Sequence, residues 1–214
     1  MDEDTSIIDN KTRNEKIKNF FIDNKKILIF LIIVFMAIIV SFYSYQIYWD
    51  GQKKKISNKY NNAVIEYQIG NKSKIVESFI EIINDKDSTY SPLALYFVID
   101  NNLIKDKDEI NNLFDILIDK TSLEIEIKNL IIYKKALFNA DQINEIELLN
   151  ILNPLINSKS IWKSHALYLV AEFFYNKGET QKSKDFFQKI VLNENSNSEI
   201  VTSAQKRLNR DLSD

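Results

Sequence analysis

The chain has 214 residues, 45% of them hydrophobic, a formal net charge of −2, three glycines, two prolines and no cysteine. The lack of cysteine excludes disulfides, thiol catalysis and cysteine-based zinc sites, and the scarcity of Gly and Pro argues against a turn-rich β fold. From Asp50 onward 22 Lys and Arg balance 24 Asp and Glu, and no dense basic run follows Lys53-Lys54-Lys55, so no nucleic-acid partner is expected.

Residues 1–26 form a polar tail with six basic and six acidic side chains. Its first ten residues are expected to be disordered, and Glu15–Asp23 reads as a short amphipathic helix with Phe20 and Phe21 at an interface. Ile27 to Trp49 then runs 23 residues without a charge, and fourteen of them are Ile, Leu, Val or Phe. As a helix this run is roughly 34 Å long, against a hydrocarbon core of about 30 Å. Its side chains contribute on the order of −4 to −8 kcal/mol towards insertion with nothing charged opposing them. The run is too long for the apolar core of a cleaved signal peptide, and no small-x-small site follows it. Tyr43, Tyr45, Tyr48 and Trp49 suit an interfacial belt at the exit. An uncleaved transmembrane helix over residues 27–49 is therefore predicted. The six basic residues before it outnumber the four (Lys53, Lys54, Lys55 and Lys59) close behind, which places the N-terminus in the cytoplasm and the long C-terminal part across the membrane.

Residues 50–55 are read as a linker, and residues 56–214 as one helical domain. Ile56, Tyr60, Ala63, Val64 and Tyr67 make a first stripe at helical spacing, stopped by Gly70-Asn71. Ile75, Val76, Phe79, Ile80 and Ile83 make a second. Ser91-Pro92 reads as a helix start, with serine capping a helix from Leu93 to Leu103. Ile110, Leu113, Phe114, Leu117 and Ile118 follow, then Leu123, Ile127, Leu130, Ile131, Leu137 and Phe138. Glu145–Ile156 carries Pro154, expected to kink or end it. The last stripes are Trp162, Ala166, Leu169, Val170 and Phe173, closed by Gly178; Phe186, Phe187 and Ile190; and Ile200, Val201, Ala204 and Leu208.

These helices recur in pairs. Phe79, Phe114, Leu152 and Phe187 lie 35, 38 and 35 residues apart. Sixteen residues before each stands a small or β-branched residue: Ala63, Val98, Ala136 and Ala171. Gly70 and Gly178 precede Phe79 and Phe187 by nine. A period near 35 built from two helices is the mark of a helical-hairpin array, because one hairpin cannot bury both of its faces and neighbours must stack. The fold class predicted is all-α, a single transmembrane helix followed by a helical-hairpin solenoid of about four pairs and a terminal helix.

The unit Ala166–Val191 resembles a tetratricopeptide repeat. Ala171, Phe174, Gly178 and Phe187 fall where that repeat has small, aromatic, turn and aromatic residues, with Ser183 replacing its usual alanine. The other units depart: Glu66, Asn101 and Asn139 stand where Phe174 does, and Ile75, Ile110 and Leu148 replace the small residue of the second helix. The whole layout is similar to the tetratricopeptide-repeat-like bacterial membrane proteins grouped with the ancillary subunit of the SecYEG translocon. That resemblance implies anchoring in the bacterial inner membrane, a periplasmic repeat domain, and the translocon and periplasmic chaperones as protein partners.

Catalytic chemistry is not signalled. His165, the single histidine, has no marked nucleophile or orienting acid beside it and reads as a packed or edge residue. Asp106, Asp108 and Glu109, like Glu145 and Glu147, read as helix-start acids rather than metal ligands. Gly51, Gly70 and Gly178 are isolated, so no phosphate loop is present. Lys53-Lys54-Lys55 reads as a charged stop beside the span, with contact to anionic lipid as the other reading. Trp162 is expected to anchor a hairpin junction. The expectation is a non-enzymatic docking protein without cofactor or metal, or else a scaffold for another envelope machine such as cell division or cytochrome assembly.

Overall fold

The computed structural model describes residues 15, 16, 18–70 and 74–212. The ten terminal residues expected to be disordered lie outside these, as does Asn71. Among the described residues all regular structure is helical, and no strand occurs. Residues 15, 16 and 18–23 are helical. The longer helices are α1 (Lys25–Gln68), α2 (Ile75–Asn84), α3 (Tyr90–Asp100), α4 (Lys107–Lys120) and α5 (Ile125–Asn139), followed by α6 (Glu145–Ile156), α7 (Lys163–Asn176), α8 (Thr180–Leu192) and α9 (Ser198–Asp211).

The chain divides into two compact units, Met1–Lys55 and Ile56–Asp214. In the first, α1 is long and apolar enough to cross a membrane, and no residue of its most apolar stretch is buried by protein. Ile27 is 60% exposed and Trp49 48%. Residues 50–55, read as a linker, are helical. Lysine is a good helix former, and a single Gly51 costs a helix only about 1 kcal/mol.

The second unit is built by packing between near neighbours in sequence. From α2 to α9 each helix packs on the next, and α2 also meets α4, α5 meets α7, and α7 meets α9. Three apolar clusters result: one from α1 to α5, one over α5, α6 and α7, and one over α7, α8 and α9. Ala63, Phe79 and Phe114 lie in the first, Ala136, Leu152 and Phe174 in the second, Ala171 and Phe187 in the third; all eight are 3% exposed or less.

The turns follow from backbone sterics. Gly70 and Gly178 adopt φ of +85° and +77°, in the left-handed region that glycine enters without penalty. After Gly178, the Glu179 N–H reaches back to the Phe174 carbonyl at 2.9 Å, closing α7. Asn102 does the same for α3 at φ +49°, with the Leu103 N–H on the Val98 carbonyl at 3.0 Å. Asparagine tolerates this conformation better than other non-glycine residues.

Side chains also complete the helix starts. Asp106 accepts from the N–H groups of Asp108 and Glu109, Asn197 accepts from those of Glu199 and Ile200, and Asn144 and Glu147 form a reciprocal capping box. Pro154 sits inside α6, which continues to Ile156.

Two further readings need correction. Ser91 does not cap α3, which begins at Tyr90; its buried hydroxyl donates to the Ile82 carbonyl of α2 at 2.6 Å, and the Asp87 carboxylate receives the Thr89 and Tyr90 N–H groups instead. A buried hydroxyl takes the nearest free carbonyl, and here that lies on the neighbouring helix. The facing of α5 also differs. Ile131, Ile132 and Ala136 are buried, whereas Ile127 and Leu137 are 38% and 52% exposed. The helix is apolar on more than one side, so its stripe is ambiguous in sequence, and contact with α4, α6 and α7 decides which side turns inward.

Phe187→Ala is expected to lower the unfolding free energy of the detergent-solubilised chain by about 3–5 kcal/mol, since it empties a closed site. Leu137→Ala should change it by no more than about 0.5 kcal/mol. Denaturant titration followed by helical circular dichroism measures both.

Candidate docking site

The repeat residues do not converge on a point. They are distributed along the unit as interior packing, and Gly178 stands in an exposed turn. Ser183 is fully buried, and its hydroxyl donates to the Ala171 carbonyl at 2.8 Å, joining α8 to α7. The polar residues in the place of Phe174 also bond locally: Asn101 and Asn139 each donate to the carbonyl one turn back, on Phe97 and Lys135. Asn139 and Asn111 additionally exchange amide hydrogen bonds of 2.7 and 3.0 Å between α5 and α4.

Trp162, half-buried, ties the start of α7 to the start of α5. Its indole N–H donates to the Glu126 carbonyl at 3.1 Å, and Ser160 donates to the Glu126 carboxylate at 2.7 Å. Its ring stacks on Tyr133, with centroids 6.0 Å apart and planes 19° from parallel. His165 packs against both rings, and its Nδ1 is buried without a hydrogen-bond partner. Burial lowers its pKa, opposed by the Ile161 backbone. A stack this close leaves no space for a ligand between the rings. Among the described residues no group of three His, Asp or Glu is placed to hold a metal ion.

Besides a concavity of about 390 Å³ over Ile156, Leu167 and Leu192, two others on the unit have more room than that stack. One, of about 610 Å³, lies between α8 and α9 over Val191, Leu192, Leu208 and Leu212. Gln205 and Asn209 at its edge are already bonded to each other. The other, of about 180 Å³, is more enclosed and lies between α3, α4 and α5. Ile99, Phe114, Leu137 and Phe138 supply its apolar lining, and Tyr96, Asp100 and Lys134 the rest.

The Lys134 ammonium stands 4.6 Å from the Tyr96 ring centroid, a cation–π contact. Neighbouring Lys135 is paired with Asp115. Among the described residues, neither Lys134 nor Asp100 has an ion-pair partner. The Tyr96 hydroxyl is buried without a hydrogen-bond partner, and burial pushes its pKa up to about 12. None of Tyr96, Asp100 and Lys134 stands out in the sequence. The available signal is the surplus of apolar residues on α5, more than one buried stripe requires.

No protein-family model, curated protein or solved structure matches the chain.

An unpaired buried hydroxyl destabilises a fold by about 1–3 kcal/mol. Tyr96→Phe is therefore expected to leave the unfolding free energy unchanged or raise it by up to about 1 kcal/mol. A loss of stability in the same denaturation assay would show that the hydroxyl is satisfied in solution.

Proposed function

We propose that this chain is a membrane-anchored, non-enzymatic docking protein. The observation that carries the reading is the uncharged run Ile27–Trp49, exposed along its length, in the same chain as a helical domain packed between sequence neighbours. Exposed apolar surface on this scale needs an apolar environment, and a bilayer supplies it. The helix tethers the Ile56–Asp214 unit to the membrane and raises its effective concentration near membrane partners.

We read that unit as a degenerate tetratricopeptide-like solenoid. The near-35-residue spacing and the interior positions of the repeat residues support this reading. Such arrays offer extended surfaces suited to peptides or helices. The proposed arrangement is a bacterial inner-membrane protein with a cytoplasmic N-terminus and a periplasmic repeat domain. Its proposed partners are the Sec translocon and periplasmic chaperones. The support is the resemblance of layout together with the excess of basic residues before the span.

In-membrane crosslinking followed by mass spectrometry tests the partners. Recovery of translocon or chaperone components is expected. Cell-division or cytochrome-assembly components would favour a scaffold in another envelope machine, and recovery of no envelope protein would sink the docking reading. A reporter active only outside the cytoplasm, fused after Leu212, is expected to be active; activity of a cytoplasmic reporter in its place would reverse the orientation.

A further inference from the structure

Resting on the reading of Ile27–Trp49 as a membrane span, we propose that Lys53, Lys54 and Lys55 form a collar for anionic phospholipid headgroups, which gives the tether a preference for negatively charged lipid.

Helix geometry sets the depth of the three lysines. Residues 50–55 are helical and continue α1 without a break, inside the unit Met1–Lys55. Lys53 to Lys55 stand four to six residues beyond Trp49, about 6–9 Å at helical rise. An extended linker would carry them about 13–22 Å away. The headgroup layer of a bilayer is about 5–7 Å thick on each side of the hydrocarbon core. The helical form thus holds the lysines at the outer edge of that layer, where an extended linker would carry them past it.

Side-chain direction closes the remaining distance. In an α-helix the Cα–Cβ bonds tilt toward the N-terminus, so a long side chain covers the turn before its own Cα. For Lys53, Lys54 and Lys55 that turn is the end of the span. The same tilt turns Lys25 and Lys26, which open α1 at its other end, away from the bilayer. All three lysines of the collar are exposed, as are Tyr48 and Trp49, so protein does not cover this level of the helix.

Spacing and charge identify the occupant. Successive helical residues point about 100° apart, so three adjacent lysines spread over more than half of the circumference and meet lipid on several sides. Lys59 does not belong to the collar, because Glu81 and Asp85 hold its ammonium at 3.0 and 3.2 Å. Asp50 is the one acid at this level; it lies within a turn of Lys53 and Lys54 and offsets part of their charge. A lysine near an anionic membrane surface favours binding by about fivefold. Phosphatidylcholine balances its phosphate with its own cation, so the net attraction singles out anionic lipid. The bilayer supplies that phosphate at the level of the lysines, whereas soluble phosphate has to bind from dilute solution.

Native mass spectrometry of the full chain released from nanodiscs of equal phosphatidylglycerol and phosphatidylcholine counts the lipids it retains. Phosphatidylglycerol is expected to exceed phosphatidylcholine by about fivefold or more. Lys53→Gln, Lys54→Gln and Lys55→Gln together should remove most of that excess, and Arg at the same three positions should keep it. Asp50→Asn should raise it, and Lys25→Gln with Lys26→Gln should cost less than the collar substitutions. Lysines that serve only to end the span would show none of these changes. Phosphate buffer should displace lipid no better than chloride at equal ionic strength; stronger displacement would assign the lysines to soluble phosphate and overturn the proposal. Equal retention of the two lipids, or a preference that survives the three Gln substitutions, also overturns it while leaving the membrane anchor in place. A chain that does not enter nanodiscs overturns the span reading along with it.

Discussion

Phe79 meets the Phe97 ring of α3, with centroids 4.6 Å apart, and the Tyr60 ring of α1, 6.0 Å away. One fully buried side chain of α2 thus joins three consecutive helices. At the far end Phe187 of α8 meets Tyr168 of α7 at 5.3 Å, while Arg207 of α9 lies within 6.0 Å of the Phe187 ring. Phe114 of α4 reaches Phe138 of α5 in the same way. A two-helix unit has no interior of its own, so the ring on its second helix must be enclosed by helices on either side. The order of the helices, the tightness of the turns and the placing of small residues all serve that enclosure.

Enclosure of this kind leaves a regular trace, which is why much of the domain is legible in the sequence. Phe79, Phe114, Leu152 and Phe187 recur at near-constant spacing, and all four are buried. Gly70 and Gly178 are equally plain, since a left-handed turn has few solutions. Where several residue types solve one problem the trace fades. Asn102 closes α3 as Gly178 closes α7, yet asparagine is common in this chain and carries little weight by itself. Ser91 resembles a cap in sequence, but its hydroxyl serves a carbonyl on another helix. No local pattern encodes a partner supplied from elsewhere in the chain.

The cleft between α3, α4 and α5 belongs to the least legible part for the same reason. Helix α5 has apolar residues on opposed sides, and only its neighbours determine that Ile131, Ile132 and Ala136 turn inward. What remains outside, Ile127 and Leu137 beside Lys134, is an arrangement rather than a motif. Phe114 connects the two roles. It is 1% exposed within the interior, and it also lines the cleft. The cleft is therefore shaped in part by the same ring that packs between α4 and α5, helices that the Asn111–Asn139 and Lys135–Asp115 pairs also join.

The neighbour-to-neighbour pattern of packing also bears on how the domain forms. Contacts between segments close in sequence give a chain low contact order, and such chains fold quickly because little loop entropy is lost before contacts form. From α2 onward each helix packs on those next to it, or next but one, in sequence. A pair such as α2 and α3 has most of its partners once α4 has appeared, with no need of α9. The domain is thus suited to assembling progressively from its N-terminal end as the chain is made. The segments awaiting a partner at any moment are then short, which limits the apolar surface exposed to aggregation.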